Sequence, residues 1–136
     1  MSFTVEDVIR LRDGWREFIT VGEFTSEVAK AMGLRVPLLY LSKDSLTHIN
    51  RKHPDISDLD LTAAPFVLKH GLIVREVRKP RMYLASHEGL HCSKRMGLSM
   101  KVAEPDREGY MTSFYRVKRR QMKAWLKRCE IIKTHD

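Results

Sequence analysis

The chain predicts an α+β fold in which N-terminal helices pack on a four-stranded antiparallel sheet and a basic helix closes the C-terminal end. Three observations carry that expectation. Apolar residues recur at helical spacing through the first half, the period shortens to that of strands after Gly71, and a helical stripe returns near the end. Helices first and sequential strands with short connections afterwards give segregated layers rather than alternating β and α units. The 136 residues, 43% of them hydrophobic, suffice for one domain with a real core. No repeat, low-complexity run or Gly/Ser/Pro-rich linker divides it, and the sequence reads as a helical N-terminal extension, 1–35, followed by a core over 36–132.

Each element has its own local warrant. Thr4 with Asp7 makes a capping-box pattern, and Val8, Leu11, Trp15, Phe18 and Ile19 follow at helical spacing, with Gly14 as a weak point. A second helix is expected over 25–32, stopped by Gly33. Residues 36–41 form an apolar run of strand length, and Ser42 is a good N-cap for the helix that carries His48. Pro54 disfavours helical geometry in the residue before it, so that helix should end at His53. Another helix is expected over 62–70, with Gly71 as its stop. Strands follow at 72–78, 81–86, 96–102 and 110–115, joined by polar turns into an antiparallel meander. The last helix, about 116–129, sets Met122, Trp125, Leu126 and Cys129 on one face. Lys118, Arg119, Arg120, Lys123, Lys127 and Arg128 occupy the other.

Charge narrows the partners. The formal net charge is +8, and it is unevenly placed. Residues 1–68 hold eight Lys and Arg against ten Asp and Glu, a net −2, whereas residues 69–136 hold seventeen against seven, a net +10. A basic half is the electrostatic footprint of a protein that meets polyanions. Nucleic acid fits better than a membrane surface, because the cations are interleaved with strand patterns and no long amphipathic anchor is present. No window approaches the ~18 apolar residues of a membrane span, and the acidic start from Met1 to Asp7 does not read as a signal peptide. The expectation is a cytoplasmic protein with no membrane partner. Cys92 and Cys129, the only two cysteines, are expected to be reduced.

The segment His48-Ile49-Asn50-Arg51-Lys52-His53-Pro54 carries the most chemistry. Cleaving a phosphodiester without a metal needs a proton acceptor, a proton donor and fixed positive charge, and two histidines bracketing two cations offer all three. The bland alternative is a surface helix with Leu46 and Ile49 packed inward and the polar residues solvated. A second cluster, Gly109-Tyr110-Met111-Thr112-Ser113-Phe114-Tyr115, places the hydroxyls of Thr112, Ser113 and Tyr115 just before the cationic helix, where they could orient a phosphate. Thr and Tyr are also ordinary strand formers, and Ser113 could simply face solvent.

With both segments in view, the chain resembles the barnase, EndoU, colicin and RelE-like (BECR) group of endoribonucleases, particularly its phage and prophage branch. The resemblance covers roughly residues 36–132, through "LSKDSLTHINRKHPDI", "LTAAPFVLKHGLIV" and "GYMTSFYRVKRRQMKAWLKRCEII". It implies a toxin-like endoribonuclease that uses no metal or other cofactor. RNA, tRNA among the candidates, would be its substrate, and an antitoxin or immunity protein a further partner. In that mechanism the ribose 2′-hydroxyl attacks the adjacent phosphorus and leaves a 2′,3′-cyclic phosphate. The resemblance points to His48 and His53 as acid and base in an unassigned order, with Thr112, Ser113 and Tyr115 on the phosphate or the 2′-hydroxyl. Arg51, Lys52, Lys118, Arg119, Arg120 and Lys123 are the substrate-binding cations.

Other readings stay open. A nucleic-acid-binding module of the same fold would need the cations but no titratable pair. His87-Glu88-Gly89-Leu90-His91 fits the H-E-x-x-H pattern of a zinc-dependent hydrolase, which works only on a helix where both histidines share a face. Here it follows a strand-like run and contains Gly89. Residues 25–34 resemble the first helix and turn of a DNA-binding helix-turn-helix, but strand-like residues follow where a recognition helix is needed. His70 and His135 have no assigned role.

Overall fold

The computed structural model describes residues 3–88 and 95–134. Its elements are α1 (Val5–Arg12), β1 (Phe18–Glu23), α2 (Ser26–Met32), β2 (Leu38–Ser42), α3 (Lys43–Lys52), α4 (Asp58–Leu61), α5 (Ala64–His70), β3 (Leu72–Arg75), β4 (Met82–Glu88), β5 (Arg95–Ala103), β6 (Glu108–Arg116), α6 (Arg119–Arg128) and β7 (Glu130–Lys133). The class is α+β, but the sheet corrects the sequence expectation. Among the described residues it has seven strands in the order β1-β2-β6-β5-β4-β3-β7 and is mixed, not four-stranded and antiparallel. The antiparallel run β3 to β6 forms its middle. β2 adds parallel to β6, β1 adds antiparallel to β2, and β7 adds antiparallel to β3.

Two local misreadings account for the missing edges. The helical spacing of the sequence extends through Trp15 to Ile19, yet α1 ends at Arg12 and Gly14 turns the chain at φ 85°. That region is left-handed and open mainly to glycine. Beyond it Trp15 is 75% exposed and Phe18-Ile19-Thr20-Val21, rich in β-branched and aromatic residues, extends as β1. At the other end α6 runs from Arg119 rather than 116, and Leu126 is 45% exposed instead of lying in the buried stripe. Ile131 and Ile132 then form β7, which an Arg75–Glu130 ion pair ties to β3.

The helix ends otherwise follow their sequence signals. Thr4 and Asp7 form the capping box of α1. Thr25 caps α2 by accepting from the Val28 N–H, and Gly33 closes it at φ 74°. Ser42 caps α3 by accepting from the Ser45 N–H at 3.1 Å. The helix expected over 62–70 is α5, and a separate short helix, α4, precedes it. Ser57 and Asp60 form a capping box that starts α4 earlier.

The two faces of the sheet have different fates. Leu39, Leu41, Met111, Phe114, Leu98, Met100, Ala85 and Ile73 face one main core, which α1, α3, α4 and α5 fill with Val8, Leu11, Leu46, Ile49, Leu61 and Val67. On the other face a smaller cluster joins Leu72, Val74 and Leu84 to Val117 and to Trp125 of α6. Burying Trp125 to 6% exposure fastens the basic helix over β3 and β4, and its truncation to Ala should cost about 3–5 kcal/mol. Val8, Leu11 and Val21 of the first 35 residues sit in the same core as the rest. Among the described residues, no helix is long and apolar enough to cross a membrane.

Candidate functional site

The C-terminal end of α3 and the C-terminal end of β6 meet. α3 packs on β6 through Leu46 and Ile49, and His53, seven residues after Leu46 and four after Ile49, continues that inward stripe. His53 is the C-cap, with φ −127° and ψ 68°, and its N–H donates to the Ile49 carbonyl at 2.8 Å. Pro54 holds it out of helical geometry. Its half-buried ring lies 5.7 Å from the Tyr115 ring, centroid to centroid, at 36°. Two residues on, Asp55 stands 3.4 Å from Arg116 of β6. That pair is largely exposed, so it fixes the loop's direction more than it stabilises the fold.

β6 aims its hydroxyls through an irregularity. Ser113 pairs with Ser99 and Met111 with Met100, which leaves Thr112 without a partner across the strands. Such a bulge adds one residue and re-aims the side chains around it. The fully buried Met111 and Phe114 are therefore three apart instead of two, and the intervening Thr112 and Ser113 are both kept off the core side, half-buried. Tyr115 pairs with Gly97 on that same side, and its hydroxyl bonds the Ser99 hydroxyl at 3.0 Å. A Cβ on Gly97 would lie 2.2 Å from Val117 Cγ2 but 3.4 Å from the Tyr115 ring, so glycine is what admits the Val117 side chain beside the ring. Burial holds the Tyr115 phenol above the ordinary tyrosine value, with Glu76 adding to the shift and the Ser99 bond opposing it. Tyr115 is accordingly a neutral hydrogen-bond donor through the physiological range.

The sequence candidates divide by position. His53 and Tyr115 meet at the end of β6, and Ser113 and Thr112 lie two and three residues back along that strand. His48 does not join them: two residues after Leu46 it falls on the opposite side of α3, exposed, with no hydrogen bond, ion pair or ring contact among the described residues. Arg51 and Lys52 are exposed in the last turn of α3. Lys118 is the N-cap of α6, its N–H donating to Gln121 Oε1 at 2.8 Å. Arg119, Arg120 and Lys123 are exposed along that helix, which Val117 and Lys118 alone separate from β6. Surface depressions of about 400 Å³ beside Arg78 and Arg128 and about 270 Å³ beside Lys30 and Arg81 include neither His53 nor Tyr115.

The competing motifs are placed differently. His87 and Glu88 end strand β4, whereas the zinc pattern needs its residues on a helix. The His87 ring packs 4.9 Å from Phe66 and 6.3 Å from His70 of α5. His91 and Cys92 lie outside the described residues, as does His135. Among the described residues no group of three or more His, Cys, Asp or Glu is arranged to hold a metal ion. α2 is followed by β2, not by a recognition helix. Cys129 is a free thiol raised in pKa by burial.

Compared with family models, with curated proteins and with solved structures, the chain matches none. Sequence reasoning missed Ser99, Asp55 and Arg116. Ser99 was within reach, since the expected hairpin sets it across from the 112–115 segment, whereas the Asp55–Arg116 contact depends on where α3 docks.

Proposed function

We propose that the chain is a metal-independent endoribonuclease resembling the barnase, EndoU, colicin and RelE-like group. The observation that carries this reading is the contact of His53 with Tyr115, itself bonded to Ser99, at the end of β6, with Ser113 and Thr112 further back along that strand and the cationic start of α6 just beyond it. An imidazole next to a neutral phenol gives a proton acceptor and a donor whose roles are set apart by chemistry. His53 takes the proton from the ribose 2′-hydroxyl as that oxygen attacks phosphorus. The bond from phosphorus to the 5′-oxygen breaks, the 5′-oxygen receives a proton, and a 2′,3′-cyclic phosphate remains. Tyr115, kept protonated by burial, gives its proton to the departing 5′-oxygen and regains one from solvent. Thr112 and Ser113 align the phosphate, and Lys52 and Lys118 offset the charge on the pentacoordinate phosphorus. His48 is left with a supporting part, because its helix position turns it from Tyr115.

This assignment separates the histidines. His53→Ala should lower the rate of RNA cleavage in excess EDTA by about a hundredfold or more with little change in RNA affinity, while His48→Ala should change it less than about tenfold. Equal losses in the two variants would return His48 to the chemistry. Undiminished cleavage by His53→Ala would remove the mechanism. RNA binding without turnover in any form of the protein would favour the binding-module reading.

A further inference from the structure

We propose that Phe18, Tyr40 and Tyr110 form a platform on which bases of single-stranded RNA stack as the strand leads into the His53–Tyr115 site. The identity of the strand as RNA rests on the nuclease reading; the platform itself rests on geometry. The three rings come from three adjacent strands, β1, β2 and β6. Phe18 meets Tyr40 edge-on at 5.3 Å between centroids, and Tyr40 meets Tyr110 at 5.7 Å and 45°. Tyr40 and Tyr110 are register partners across the parallel pair. Strand neighbours of these rings, Leu39, Leu41 and Met111, are wholly buried in the main core. Alternation therefore turns the rings to the opposite face of the sheet.

Among the described residues, the buried cluster that α6 makes on that face takes in Leu72 and Val74 of β3, Leu84 of β4 and, at the far end of β6, Tyr115 and Val117. None of the three rings belongs to either buried cluster, and Phe18 is 46% exposed. A contiguous aromatic surface that joins neither buried cluster of the described residues is the arrangement sheet proteins use to hold unpaired bases, because every base has a stacking face.

Charge and hydroxyls select the occupant and its direction. Lys101 lies directly across from Tyr110 on the same face, exposed, where it can meet a phosphate between stacked bases. From Tyr110 the row continues along β6 through Thr112 and Ser113, with Ser99 opposite, to Tyr115 and the cations at the start of α6. At the other end Glu108 and Asp106 stand close enough to raise the Tyr110 phenol, after burial as the first cause. A polyanion is repelled there and drawn the other way. An apolar peptide or a second copy of the chain would gain nothing from Lys101 and the hydroxyl row.

The test uses the full chain and a short single-stranded oligonucleotide, 2′-O-methylated so that it cannot be cleaved, with affinity read by fluorescence anisotropy. Tyr40→Leu and Tyr110→Leu keep an apolar side chain and should each weaken binding about tenfold, with unchanged circular dichroism. An abasic oligonucleotide of equal charge should bind alike to the wild type and both leucine variants. Wild-type affinity in the leucine variants overturns the platform, and if those variants still cleave RNA with unchanged KM the nuclease reading survives without it. Conversely, weakened binding in the variants of a protein that cleaves no RNA keeps the platform and removes the nuclease. Self-association of the wild type that the leucine changes abolish, with RNA affinity untouched, would make the face a contact between copies and also overturn the proposal.

Discussion

Replacing Tyr115 by Phe separates what the hydroxyl does for folding from what it does for chemistry. The ring should stay in place, because its contacts with His53 and the space over Gly97 involve carbon atoms. What is lost is the 3.0 Å bond to Ser99. A net side-chain hydrogen bond contributes about 0.5–1.5 kcal/mol, and half-buried Ser99 can recruit water, so about 0.5–1 kcal/mol of stability should go. The rate should fall far more, by about a hundredfold or above, the loss expected when one donor to a developing oxyanion is removed. The pH dependence gives a second readout. The folded-state pKa of Tyr115 lies above the ordinary value of 10, so the folded state binds the proton more tightly. The stabilisation is full below the unfolded value, diminishes above it, and is lost as pH rises through the folded one. Tyr115→Phe should flatten the decline in stability on the alkaline side of 10, measured by urea denaturation across pH. A variant that loses under about tenfold in rate would refute Tyr115 as the donor, and an unaltered alkaline decline would refute its burial.

Three further expectations concern neighbouring features. Gly97→Ala brings a methyl to 2.2 Å from Val117 Cγ2 and 3.2 Å from the Ala85 carbonyl, so it should displace Val117 and destabilise by about 1–3 kcal/mol, seen as a lower midpoint in urea denaturation. Arg12 holds the Asp58 carboxyl below its ordinary range through paired hydrogen bonds. The pair's stabilisation is therefore present above the unfolded carboxylate value and lost as pH falls through the folded one. With Arg12 39% exposed, screening limits it to about 1 kcal/mol or less, and Arg12→Ala should remove that part of the acid dependence in denaturation curves. Replacing Arg119 and Arg120 by Ala should leave stability near wild type and lower the slope of log affinity against log salt by about 0.7 per lost single-strand phosphate contact. An unchanged slope would confine these cations to solubility.

How much could be seen in the sequence depended on whether a signal was local. Caps at Thr4, Thr25 and Ser42, the stops at Gly33 and Pro54, and the strands after Gly71 rest on neighbours in the chain, and each was legible. The edge strands were not. Phe18 and Ile19 satisfy a helical period as well as a strand's alternation, and only the turn at Gly14 and pairing with β2 decide between them. β7 is four residues whose pairing partner lies 55 or more positions earlier, a long-range choice that periodicity does not reveal. The same division holds at the candidate site. The residue types were evident from their chemistry, but spacing in sequence joined His48 to His53. Helical phase joins His53 to Tyr115 instead. The bulge at Thr112, which turns two consecutive hydroxyls off the core side, is a property of pairing with β5 and leaves no mark in β6 alone.

The most direct measurement is the chemistry of the ends the protein leaves on RNA. A defined single-stranded RNA incubated with purified protein in excess EDTA should yield 5′-fragments ending in 2′,3′-cyclic phosphate and 3′-fragments beginning with a free 5′-hydroxyl. A 2′-deoxy substitution at the cleaved nucleotide should abolish the cut. Products bearing 5′-phosphates, cleavage that survives the 2′-deoxy substitution, or activity that EDTA extinguishes and added metal restores would contradict attack by the 2′-hydroxyl under His53 and Tyr115.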